Sequence, residues 1–133
     1  MIYESKQSVK SPVVNKDRKA DTHIYFLLLK GQVSTFNRVV HDEIWNFYEG
    51  DPIIIIKYSG TQVEEDIIGP GCSGYAAIVE GGLYQAAEST GVYSLVGCTV
   101  APGFEFEDFS FLRDEFETKE KLLNKFPVYR KFI

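Results

Sequence analysis

Residues 31–50 read GQVSTFNRVVHDEIWNFYEG, and residues 52–58 read PIIIIKY. Val33–Val40 and Glu43–Tyr48 are two runs rich in β-branched and aromatic residues, separated by a turn at His41–Asp42. Glu49-Gly50-Asp51-Pro52 has the composition of a tight turn. The isoleucine run of Pro52–Tyr58 is too short for a helix of ordinary length and has the β-branched content of a buried strand. Three strands in succession with turns of a few residues between them define an antiparallel β arrangement.

The pattern extends in both directions. His23–Lys30 (HIYFLLLK) precedes Gly31 as a further strand. After the Ser59-Gly60 turn come Thr61–Ile68, Tyr75–Val79, Leu83–Ala87 and Val92–Val100, with Gly69-Pro70-Gly71 as a break. Regular spacing of short strands predicts a sandwich or barrel, and the lack of helical pattern between them argues against a parallel α/β sheet. Ser8–Ala20 is polar, contains Pro12 and reads as a loop after a short first strand. Asp114–Lys125 places Phe116, Leu122 and Leu123 among charged residues, a helix that Pro127 ends and that packs on the outside of the barrel.

Composition supports this class. The chain has 133 residues, enough for one domain with its own core, and 44% are hydrophobic. Ten Phe, eight Tyr and eleven Gly favour strands and turns. A net charge of −5 argues against nonspecific binding to nucleic acid or anionic membranes. No apolar run approaches the roughly 20 residues of a membrane span, and the first residues show no apolar signal core, so a cytoplasmic location is expected. Cys72 and Cys98 lack the spacing of a metal pair and read as free thiols.

The frame from Gly31 to Gly50 resembles the first cupin motif. Gly31 is followed, with the motif's spacing, by Asn37, Val39, Glu43 and Gly50, whereas the motif carries histidines at the places of Asn37 and Val39. Gly74–Ser89 (GYAAIVEGGLYQAAES) can be laid on the second motif, where only Gly74 and Gly82 match and Gln85 takes the place of the histidine. The segments STFNRVVHDEIWNFYEGDP and LVGCTVAPGFEFEDF are similar to the cupin branch called DUF985 or Cupin_5, over roughly residues 22–111. Asn37 and Asn46 stand where that branch has histidine. The resemblance implies an all-β double-stranded β-helix, a cupin-like jelly-roll barrel with a C-terminal helix. It is expected as a single domain over residues 1–133, with the barrel at about 22–111 and the helical segment at about 112–126.

The chemistry at these positions differs from that of a metal cupin. Glu43 is the one strong ligand left; Asn37 and Gln85 offer amide oxygens and Val39 offers nothing, so no metal or other cofactor is expected. Glu43 in a pocket lined by Trp45, Phe47 and Tyr84 would have a raised pKa suited to acid or base work, or would be a structural carboxylate tied to Arg38 or a backbone amide. His41 is either a solvated turn residue or a general base at the barrel mouth held by a carboxylate. Candidate catalytic residues are Glu43, His41 and Tyr48, and candidate ligand-binding residues are Asn37, Glu43, Trp45, Asn46, Tyr84 and Gln85. Neutral hydrogen-bonding groups of this kind suit a small polar molecule such as a sugar derivative or nucleobase. A metal-independent isomerase or epimerase acting on a sugar or nucleotide sugar is the enzymatic alternative. An Ile/Phe-rich sheet, in a superfamily whose members pair through outer strands, adds the expectation of a homodimer.

Overall fold

The computed structural model describes residues 2–133. They form twelve strands, β1 (Ile2–Glu4), β2 (Ser8–Lys10), β3 (Asp17–Lys19), β4 (Thr22–Leu29), β5 (Val33–Val39), β6 (Asp42–Gly50), β7 (Ile53–Tyr58), β8 (Val63–Ile68), β9 (Ala76–Val79), β10 (Tyr84–Ser89), β11 (Tyr93–Ala101) and β12 (Phe109–Phe111), and one α-helix, α1 (Phe116–Lys125). Two five-stranded antiparallel sheets, β1-β4-β11-β6-β9 and β12-β5-β10-β7-β8, face each other as a jelly roll. The eight strands read from the sequence between residues 23 and 100 are all present, with ends displaced by a residue or two. Ser8–Ala20 differs: β2 and β3 pair there as a small separate hairpin, which the polar composition of the segment hid.

Alternation along each strand divides the side chains between two apolar layers. The first lies between the sheets and contains Leu28, Trp45, Ile53, Ile55, Ile68, Ala77, Val79, Ala87, Val96 and Cys98. The second lies on the outer face of the sheet that holds β5, β7 and β10, and contains Phe36, Ile56, Tyr58, Tyr84, Ala86, Leu112, Leu122 and Phe132. Thus β7 sends Ile53 and Ile55 inward and Ile56 and Tyr58 outward, and both sets are buried. This explains the unbroken isoleucine run: a strand covered on both faces has no reason to alternate with polar residues. Each fully buried isoleucine contributes roughly 1.5–3 kcal/mol.

The C-terminal segment supplies the second layer's cover. Helix α1 begins at Phe116, two residues later than its charge pattern predicts, because Leu112–Asp114 forms a 3-10 turn. Leu122 is fully buried, whereas Phe116 is exposed. Pro127 ends the α-helix but not the helical path: Pro127–Phe132 continues as a 3-10 helix and delivers Phe132 to the same layer.

Gly31 and Gly50, the ends of the decisive stretch, both have positive φ, +84° and +96°. Their surroundings differ. A Cβ on Gly31 would meet open space, whereas one on Gly50 would collide with the Tyr93 carbonyl oxygen. Gly31→Ala is therefore expected to cost about 1 kcal/mol from backbone conformation alone. Gly50→Ala should cost about 3 kcal/mol or more, since backbone must also move. Urea denaturation of the two variants beside the parent chain checks the ranking.

Candidate functional site

Strand β6 carries the centre of the site. Trp45 and Phe47 belong to the layer between the sheets, so Glu43, two residues before Trp45, shares their face, and Ile44, Asn46 and Tyr48 take the other. Facing β6 across the interior is β10, whose Gln85 is 1% exposed. The Trp45 indole N–H donates to Gln85 Oε1 at 2.8 Å, and Gln85 Nε2 donates to Glu43 Oε1 at 3.0 Å. The Cys98 thiol, from β11, neighbours the Glu43 carboxyl. On β5, Asn37 is the register partner of Gln85, and its Nδ2 donates to the Thr35 carbonyl at 2.9 Å. Asn37, Glu43, Trp45 and Gln85 therefore meet in the interior.

Burial dominates the electrostatics. It pushes the Glu43 carboxyl from its ordinary value of 4.5 up to about 7, although Gln85 and Cys98 act the other way. Burial and the neighbouring Glu43 also push the Cys98 thiol well up, so this cysteine is not a ready nucleophile.

The other expected site residues stand elsewhere. Tyr84 is adjacent to Gln85 on β10 and so faces the opposite way, into the layer under the C-terminal helix, with the Arg38 guanidinium 4.7 Å from its ring centre. That contact also corrects the expected Glu43–Arg38 pair. Asn46 and Tyr48 lie on the outer face of their sheet. Tyr48 packs over Gly97 and hydrogen-bonds His23 Nε2 at 3.2 Å, while Tyr25 meets it edge-on. His41 is neither solvated nor free to act at a mouth: it is buried, and its Nε2 is 2.6 Å from Ser11 Oγ in the loop of the β2–β3 hairpin. Desolvation lowers its pKa. Nearby, Arg18 of β3 makes charge-assisted hydrogen bonds to Asp108 and Glu107 at 2.8 Å each, and these hold Asp108 below the usual carboxylate range.

Two residues of the interior were not anticipated. Cys98 is one; the VGCTVAPGF stretch marked its strand without marking its direction. Lys57 is the other, paired in register with Gln85 and therefore on the inner face of β7. Its Nζ lies 2.8 Å from Asp66 Oδ2 and 3.9 Å from Glu64 Oε2 on β8, and 3.5 Å from the Ile78 carbonyl of β9. A lone lysine closing an isoleucine run was the available signal. Lys57 lines a cleft of about 450 Å³ together with Ser59, Gln62, Glu64, Ile78, Glu80 and Leu83. Ile78 and Glu80 flank Val79, the register partner of Glu43, and Leu83 packs against the inner layer. The cleft thus borders the strand positions paired with Gln85 and Glu43, although neither of those side chains lines it.

Two antiparallel sheets closed as a jelly roll, with a polar cluster at one end of the interior, define a cupin. The profile described as "Cupin superfamily (DUF985)" matches residues 1–112, and the chain belongs to that family, Cupin_5. A hypothetical protein from Leishmania major superposes with a TM-score of 0.78 at 24% identity, covering 94% of this chain and 80% of that one. A protein from Shewanella oneidensis gives 0.72 at 32% identity, covering 82% and 69%. A dTDP sugar isomerase from Desulfovibrio desulfuricans shares the fold, with a TM-score of 0.59 at 11% identity over 83% and 82%. No curated protein matches the chain.

The residues at the cupin ligand positions do not fit a transition metal. Val39 presents only methyl groups. Both polar atoms of the Gln85 amide are engaged, and Glu43 accepts from Gln85. Among the described residues no three His, Cys, Asp or Glu side chains are grouped to hold an ion. Among the described residues, too, no helix is long and apolar enough to cross a membrane.

The raised pKa of Glu43 has a signed effect on stability. Below about pH 4.5 folded and unfolded chains both hold the proton. Between there and about pH 7 only the folded chain keeps it, so stability falls as pH rises and levels off above that range. The full effect is on the order of 3 kcal/mol. Glu43→Gln is expected to match the parent at pH 4 and to exceed it at pH 8, and urea denaturation at the two pH values measures the difference.

Proposed function

We propose that this chain is a small-molecule-binding cupin barrel that works without a transition metal. It takes a polar organic ligand, such as a sugar derivative or nucleobase, at the Glu43 end of the interior. The hydrogen-bonded string Trp45–Gln85–Glu43 carries this reading. Polar groups in an otherwise apolar barrel cost free energy unless satisfied; here they are satisfied in a way that holds a carboxyl beside an open cleft. Such a placement of a few fixed polar groups among apolar walls is the usual build of a ligand pocket.

The enzymatic alternative, proton transfer on a sugar or nucleotide sugar, draws on the pKa of Glu43 and on the fold shared with a dTDP sugar isomerase. Its other expected acid–base groups do not stand with Glu43: Tyr48 is on the outer face and His41 is under the hairpin. A proton relay across a bound ligand needs groups within hydrogen-bond reach of it, and of the three expected groups Glu43 alone stands beside Gln85 in the interior. Binding without turnover is the reading favoured.

Trp45 is the chain's single tryptophan and reports directly. Titration with sugars, nucleosides and free nucleobases is expected to give a saturable change in its emission for at least one compound. Gln85→Ala should abolish the change, and the same compound should show no solvent exchange in deuterated water. Flat emission across the set would remove the proposal.

A second copy of the chain is the further partner proposed. Outside the sheet that holds β4, β6 and β11, Tyr25, Leu27, Leu29 and Tyr48 are each about half exposed on one face. The opposite sheet has its own cover in the C-terminal helix. A contiguous apolar face of this kind marks an association surface. Light scattering after size exclusion is expected to give a dimer at micromolar concentration, and Leu27→Glu to shift it to monomer.

A further inference from the structure

Hydrogen-bonding capacity at the Glu43 end of the barrel is unevenly used. The orientation of the Gln85 amide is fixed because its oxygen takes the Trp45 N–H, so the nitrogen must face Glu43. Asn37 is fixed likewise. Its nitrogen faces the Thr35 carbonyl at 2.9 Å and the Gln85 carbonyl at 3.4 Å, and a flipped amide would set oxygen against oxygen. Among the described residues nothing bonds Asn37 Oδ1. A carboxylate has about four lone-pair sites, and among the described residues Glu43 receives one hydrogen bond, from Gln85. The capacity left over on these side chains is mostly acceptor capacity, on Glu43 and Asn37; of the four amide N–H groups of Gln85 and Asn37, three have partners and one of Gln85 has none among the described residues.

The charges at the mouth point the same way by an independent route. The cleft beside the site is lined by Glu64 and Glu80, with Lys57 as its sole lining cation. Lys57 is not free to receive an anion: its ammonium is held by Asp66 and Glu64 and by the Ile78 carbonyl. An anionic group entering here would leave water and approach a surface of its own sign, with no free cation among the described residues that line the cleft.

We propose that the Glu43 end of the barrel selects ligands that present two or more hydrogen-bond donors and carry no anionic group, that is, hydroxyls of an uncharged polyol or pyranose, or an amine. This rests on the reading of the chain as a ligand-binding barrel and adds to it the class of ligand. A donor pair would bridge Glu43 and Asn37 Oδ1, which flank Gln85 from the facing sheet and from the neighbouring strand. A carboxylate or phosphate would find acceptors at both positions.

Matched trios test this by calorimetry at pH 8: glucose, glucosamine and glucuronate; galactose, galactosamine and galacturonate; and adenosine with its 5′-amino and 5′-phosphate analogues. The neutral or amino member of at least one trio is expected to bind about tenfold or more tighter than its acidic counterpart, the ratio set by an unpaired buried acceptor. Which of the two binds tighter separates the hydroxyl from the amine source. Glu43→Gln, which introduces a donor in nearly the same volume, should narrow the ratio, as should Asn37→Leu, which removes the free acceptor. Acidic members binding as tightly as their partners, or a ratio unmoved by both variants, would overturn the selectivity while leaving a binding barrel. No binding by any member would overturn the barrel reading and the selectivity together.

Discussion

The amide of Gln85 is the constraint on which the site depends. It receives the indole N–H of Trp45 and gives its own N–H to Glu43, so one side chain from β10 grips two from β6 across the gap between the sheets. A buried amide left without partners would cost about 1–3 kcal/mol for each missing bond. The two sheets are therefore held in one relative register by a polar contact, within a layer that is otherwise aliphatic and aromatic. Apolar contacts tolerate sliding; a two-ended hydrogen bond does not. The same contact settles which end of the amide meets Glu43, and so leaves that carboxyl as an acceptor toward anything entering the barrel.

The two sheets live under different conditions. The sheet containing β5, β7 and β10 is covered on both faces, by its partner sheet and by the C-terminal helix with its 3-10 extension. Tyr84, Gln85, Ala86 and Ala87 are all buried in consequence. The sheet containing β4, β6 and β11 is covered on one face, and its other carries the His23, Tyr25 and Tyr48 rings. Hence the first sheet supplies rigidity to the site through Gln85 and Lys57, and the second brings Glu43 and Trp45 on a strand whose reverse side is open.

Much of the fold was legible because strand alternation and turn composition are local properties. PIIIIKY and the Gly31–Gly50 frame were sufficient to place three strands and their turns, and the spacing of the remaining runs did the rest. The site was legible in part. Alternation also implies that Trp45 and Asn46, or Tyr84 and Gln85, cannot both face the interior, and a pocket that included all four ignored that rule. Other features could not be read from neighbours in sequence. His41 is buried by a hairpin some thirty residues away in sequence, and that hairpin looked like a loop because its strands are three polar-rich residues each. The approach of Cys98 to Glu43 depends on β11 lying beside β6, a pairing that no local signal specifies.

The β2–β3 hairpin is fastened differently from everything else. Its buried residues are Ser11 and Arg18, both polar, and none of its apolar side chains joins either core layer. Its grip is on His41, two positions before Glu43, and on Asp108. A segment attached by directional polar contacts resembles a clasp more than a wall: it either engages with good geometry or does not engage. Changes in its sequence that spare those contacts leave the packing of the barrel untouched, so this segment and the barrel are free to vary independently of each other.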